Sequence, residues 1–331
     1  MKLKHLFILG TCLIACNKPE EKSIGTFERI DPEFDKIVSS DASISVLGEG
    51  YEWSEGPLWV GSQNMLLFSD VPKNVVYKWT EKNGVEVYLT PSGLTGIAAG
   101  SREPGSNGLL LDGEDHLVLC QHGDRRLAMM NSSLDKPVAD FTTLADTFNG
   151  MRFNSPNDGI FSNDRFYFTD PPYGLAKQME DPKKEIPFQG VFVAPAAGGV
   201  KVIVDSLTRP NGLAFLKNKK TLLVANSDSG KAKWYAFDLS EHDSVTNARV
   251  FYDATENAKT EKGLPDGLKV DSNNTVFATG PGGVWVFNGD GKVLGKIKFA
   301  DFPVSNCALS LDEKTLYLTA DSYLLKVVLR N

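Results

Sequence analysis

Six short segments of this chain place an oxygen-bearing side chain at the same point of a recurring pattern. They are Ser54-Glu55-Gly56-Pro57-Leu58, Ser106-Asn107-Gly108-Leu109, Pro156-Asn157-Asp158-Gly159-Ile160, Pro210-Asn211-Gly212-Leu213, Pro265-Asp266-Gly267-Leu268 and Ser305-Asn306-Cys307-Ala308-Leu309. The shared position holds Glu55, Asn107, Asn157, Asn211, Asp266 and Asn306. A single Asn-Gly or Asp-Gly pair signals a turn and nothing more. Six in register, each followed by an apolar run, ask for a further reason. Carboxylate and amide oxygens converging without cysteine, and with little histidine, suit a hard divalent cation. Calcium takes about six to eight such oxygens. Glu55 and Asp266 would match its charge, while Asn157 and Asn211 would add neutral carbonyl oxygens. These four form the candidate metal site. Calcium is the expected ion, with zinc, manganese or magnesium as alternatives.

The elements that must position these residues follow from the spacing. The segments recur about every 40 to 55 residues, the period of a β-propeller blade. Between them lie short β-rich runs divided by Gly, Pro, Asn and Asp, four to a repeat. In the first repeat the runs are 58–60, 65–69, 75–79 and 85–89. The sixth repeat is one strand short, and residues 43–47 can supply that strand. The expected fold is therefore all-β, a six-bladed β-propeller closed by an N-terminal strand that completes the last blade and leaves no open edge. In such a ring the turn entering the innermost strand and the turn joining the second and third strands share one face. The six oxygens then line the axial channel at that face, with Asp70, His122, Asp170, Asn226 and Asp321 around them. Asn107, His122 and Asp170 become candidate substrate contacts. A long insert after Asp170-Pro171-Pro172-Tyr173-Gly174 is read as a wall of the site, with Tyr173 a further contact.

Composition bounds the rest. The 331 residues are 41% hydrophobic and carry a net charge of −7, which disfavours a general nucleic-acid surface. Lys2 and Lys4 precede a short apolar run that ends in Leu13-Ile14-Ala15-Cys16, a sequence that resembles the bacterial lipoprotein box. The expected organisation is a signal peptide over 1–15, a tether and lead-in over 16–36, and the propeller over 37–331. Cys16 would be the lipidated residue, anchoring a monomer to a lipid membrane. Asn17 after that cysteine suggests the outer membrane of a bacterial envelope, facing the periplasm or the cell surface. Cys120 and Cys307 fall in non-adjacent repeats and are expected as buried free thiols.

Other catalytic devices are absent: there is no His-Glu-x-x-His, no Gly-x-Ser-x-Gly and no phosphate loop. The chain resembles the gluconolactonase family, also called the senescence-marker and luciferin-regenerating-enzyme-like family. The motifs that carry the resemblance are Glu55-Gly56-Pro57-Leu58-Trp59, Ser155-Pro156-Asn157-Asp158-Gly159, Phe168-Thr169-Asp170-Pro171-Pro172-Tyr173-Gly174, Arg209-Pro210-Asn211-Gly212-Leu213 and Pro265-Asp266-Gly267-Leu268. It implies a six-bladed propeller, one calcium or similar ion in the channel, and lactone hydrolysis, with a sugar lactone such as glucono-1,5-lactone as substrate. It implies Glu55, Asn211 and Asp266 as metal ligands, Asn157 at or next to the metal and touching substrate, and Asp266 as the base. Asp266 and Asn157 are thus the candidate catalytic residues. Where animal sugar lactonases of the family carry a sugar-gripping Arg, this chain has Ser155; Arg125 and Arg152 are the candidate replacements. Two other readings remain: an esterase or phosphotriesterase on the same ion, and a non-catalytic lipid-anchored binding propeller.

Overall fold

Strands such as Met65–Asp70 and Thr221–Asn226 are buried at every position rather than at alternate ones. A strand hidden on both faces must lie inside a stack of sheets. The computed structural model describes residues 24–96, 101–195 and 199–330, and shows how the stack is built. Six antiparallel sheets stand in a ring, in order 54–89, 106–145, 159–204, 210–253, 268–298 and 306–328. These are blades 1 to 6, each running from an inner strand A to an outer strand D. The leader, Cys12 and the Leu13-Ile14-Ala15-Cys16 box lie outside the described residues.

Six apolar clusters fill the six spaces between neighbouring blades. Consecutive residues of one strand serve different spaces. Leu66 and Phe68 pack toward Tyr317 of blade 6, while Met65 and Leu67 pack toward Leu109 and Leu119 of blade 2. Cys120 and Cys307 are buried free thiols within this packing, as their repeats imply. Closure is by Ile44–Glu49, which pairs antiparallel with Tyr323–Val328 and completes blade 6. The lead-in is also folded from Thr26 onward. Thr26–Arg29 adds a fifth, outermost strand to blade 5, and Pro32–Lys36 forms a 3-10 turn that seats Phe34 fully buried between blades 5 and 6. Burying that ring contributes about 1.5–3 kcal/mol.

At the axis the recurring glycines have a reason other than turning. Asn107 and Gly108 together face one partner residue, as do Asn211 and Gly212, so each pair is a β-bulge. Bulges re-aim a side chain, here into the channel. The glycine beside it touches the next blade. A Cβ at Gly212 would lie 2.3 Å from the Asp266 carbonyl oxygen, and one at Gly108 2.8 Å from that of Asn157. Inner strands thus meet backbone to backbone around the ring. Gly212→Ala should lower the unfolding free energy by about 1–3 kcal/mol in chemical denaturation, because the backbone it strikes cannot rotate away. Gly230→Ala, in an open loop, should stay within about 0.5 kcal/mol of wild type. Equal effects would contradict this packing.

Candidate active site

The bulges and inner-strand starts bring Glu55, Asn107, Asn157, Asn211 and Asp266 onto one cavity of about 620 Å³ at the axis. Asn306 lies behind it, donating from Nδ2 to Glu55 Oε2 at 3.3 Å and to Asp158 Oδ2 at 3.1 Å. Glu55 also accepts the Gly56 N–H at 2.9 Å. The two amides are turned the same way. Asn211 donates through Nδ2 to Ser227 Oγ at 3.0 Å, and Asn157 Nδ2 lies 3.5 Å from His122 Nε2. Their Oδ1 atoms are left over: that of Asn157 is buried with no partner, and so is Oδ1 of Asp266.

Electrostatics sharpen this. Burial, with the nearby Asp158 charge, pushes the Glu55 carboxyl up to about 8 despite the Gly56 N–H. Burial and the charges of Glu55, Asp158 and Glu103 hold the Asp266 carboxyl well above the usual range. Among the described residues no Lys, Arg or His forms an ion pair with either. Buried polar atoms in native proteins have partners as a rule. The orphaned oxygens of Asn157 and Asp266, beside the Glu55 carboxylate, therefore fit a hard divalent cation. Among the described residues no three His, Cys, Asp or Glu side chains cluster to hold a metal, so the amide oxygens are essential to the set. Glu55, Asn157, Asn211 and Asp266 are the residues that would hold it.

Other expected contacts lie elsewhere. Asp170 accepts the N–H groups of Asn154 and Ser155 at 2.7 Å each and is buried away from the cavity; burial pushes it up to about 7 against those bonds. Asp70 accepts from Glu52 and Trp53, and Asn226 from Arg209, in the same manner. These side chains cap the chain entering each inner strand, because that chain's N–H groups have no other acceptor. Arg125 is tied to the Phe153 carbonyl at 2.6 Å and Arg152 to the Asp124 carbonyl at 2.6 Å; neither lines the cavity. His122 is buried behind Asn157 rather than exposed to substrate. Ser155 holds the insert instead, accepting the Gly174 N–H at 2.9 Å and donating to the Pro171 carbonyl at 2.6 Å.

Asn107 and Tyr173 do line the cavity, as does Gln178 of the insert. Residues not anticipated complete it. Arg102 and Glu103 come from the loop after blade 1, Trp53 from the entry to blade 1, and Glu261 from the loop after blade 4. Asp158 is a further unforeseen acid, behind the cavity, where it accepts from Asn306. Its only signal was a second oxygen-bearing residue inside Asn157-Asp158-Gly159.

A ring of six blades around such a channel makes the chain a six-bladed β-propeller, and the comparisons place it in a family. Residues 53–322 match the SMP-30/gluconolactonase/LRE-like region, so the chain belongs to that family. It is 35% identical over 326 residues to a gluconolactonase of Zymomonas mobilis, covering 97% of this chain and 90% of the relative. The solved gluconolactonase of Xanthomonas campestris superposes with a TM-score of 0.78 at 28% identity, over 92% of this chain and 95% of that one. The calcium-binding protein regucalcin of Agrobacterium tumefaciens shares the fold, with a TM-score of 0.66 at 16% identity over 86% and 93%.

The raised carboxyls have a consequence for stability. Glu55 and Asp170 have folded-state pKa values near 8 and 7, above their ordinary 4.5 and 3.8. Folding therefore takes up protons, and the stability this gives is complete below about pH 4 and is lost as pH rises toward 8. In chelator the melting temperature should fall from pH 5 to 8. Calcium should raise it most at pH 8, since binding to the folded state stabilises it and favours the ionised Glu55. A calcium effect independent of pH would contradict the assignment.

Proposed function

We propose that this chain hydrolyses a lactone, a sugar lactone such as glucono-1,5-lactone being the favoured substrate, with calcium or a similar divalent ion held by Glu55, Asn157, Asn211 and Asp266. The observation that carries this reading is the pair of buried, unpartnered oxygens of Asn157 and Asp266 beside the unpaired Glu55 carboxylate on one cavity. The gluconolactonase relatives support the reaction class, and the regucalcin neighbour supports calcium. A cavity of about 620 Å³ is in the ordinary range for a small-molecule site. Trp53, Leu264, Pro303 and Val304 supply apolar lining for a ring's carbon face, while Asn107, Arg102 and Glu103 supply groups for its hydroxyls.

When bound, the ion supplies Lewis acidity to a lactone carbonyl and stabilises the negative charge that grows on its oxygen. The protein's own part is acid–base work. Asp266 takes a proton at its carboxylate from the attacking water, whose oxygen bonds to the carbonyl carbon. The bond from that carbon to the ring oxygen breaks, and the ring oxygen leaves as a hydroxyl with the proton returned by Asp266. The product is an open hydroxy acid.

Asp266→Asn keeps one oxygen and the shape but removes the charge and the proton acceptor. It should stay folded, bind calcium more weakly, and remain about 10²–10⁴-fold slower than wild type at saturating calcium. Near-normal turnover restored by excess calcium would make Asp266 a ligand only.

We also propose lipid attachment through Cys16 in the bacterial envelope, with the outer membrane as the expected site. Full-length protein should fractionate with membranes and the Cys16→Ser variant should not; equal solubility of the two would reject the anchor.

A further inference from the structure

His122 is wholly buried and meets the metal-site residue Asn157 from behind. Its Nε2 lies 3.5 Å from Asn157 Nδ2, and its Nδ1 lies 3.2 Å from Glu103 Oε2, within ion-pair range though not aligned as a hydrogen bond. Glu103 in turn lines the cavity. An amide NH₂ can only donate, so a ring nitrogen facing it must accept. In the neutral ring the proton then sits on Nδ1, facing the carboxylate. The place is built for the ring: a Cβ at Gly174 would lie 2.8 Å from both His122 Cβ and Ser155 Cβ, so the insert closes over His122 only because it carries a glycine there.

We propose that Glu103 and His122 are positioning residues that fix the orientation of the Asn157 amide. Glu103 selects the ring tautomer, the ring accepts from Nδ2, and Oδ1 is left facing the cavity, where it serves the cation. The two ends of an amide have nearly the same shape. Without an acceptor behind Nδ2, nothing in this corner distinguishes the orientation that offers oxygen from the one that offers N–H groups to a positive ion. Partners behind a ligand commonly set metal affinity in this way. The inference rests on the metal reading above.

Calorimetric titration with Ca²⁺ alone tests it, using wild type, His122→Ala, His122→Met and His122→Gln, each with Asn157 and with Asn157→Asp. His122→Ala should weaken calcium binding about 10–100-fold. His122→Met fills the space without a good acceptor and should behave likewise, which covers a failure of the alanine variant to fold. His122→Gln can still accept through its amide oxygen and should lose less. With Asn157→Asp, which offers an oxygen either way round, the His122 substitutions should change affinity by no more than about twofold. Unchanged binding by the Met and Ala variants overturns the proposal, as does an equal loss in both backgrounds, which would mark a general structural role. Absence of calcium binding by wild type is a different result: it removes the metal reading, and this proposal with it.

Discussion

Two carboxylates of like charge, the buried Glu55 and the partly buried Asp266 with its Oδ1 enclosed, stand on one axis, and among the described residues no cationic side chain pairs with them. Burying unpaired charge is costly, and a protein avoids it by protonation or by a bound cation. Much of the surroundings is arranged to leave that choice to a small ion. Asn211 and Asn157 direct their NH₂ groups into the protein, toward Ser227 and His122, and so keep oxygens for the cavity. Asn306 bridges Glu55 and Asp158 from below, so the deeper carboxylate is satisfied without neutralising the upper one.

Holding such groups together needs a frame that cannot relax outward. The ring supplies it. Inner strands touch at Gly108 and Gly212, where no side chain fits, and apolar clusters between blades resist separation. Because Ile44–Glu49 completes blade 6 from the other end of the chain, the first and last parts of the ring are tied by strand pairing.

Much of this was legible in the sequence because propeller blades repeat. Repetition placed Glu55, Asn157, Asn211 and Asp266 at one level of one channel, and the shortfall of one strand in the last repeat pointed to closure from the N-terminal side. What does not repeat was not legible. Arg102, Glu103 and Glu261 lie in loops of individual length, and only the folded ring decides which of them reach the cavity. Asp170 and His122 occupy the expected turn, but local hydrogen bonding sends Asp170 to the N–H groups of Asn154 and Ser155, and burial puts His122 behind Asn157. Thr26–Arg29 was not legible because it is only four residues long, largely exposed and outside the repeats.

The central claim is that one divalent cation sits on the axis between these side chains. Crystals of the protein soaked in calcium and measured for anomalous scattering test it most directly. The account predicts a single strong peak on the axis, within about 2.3–2.6 Å of oxygens from Glu55, Asn157, Asn211 and Asp266. An axial cavity without a peak, or calcium held only at other residues, would contradict it.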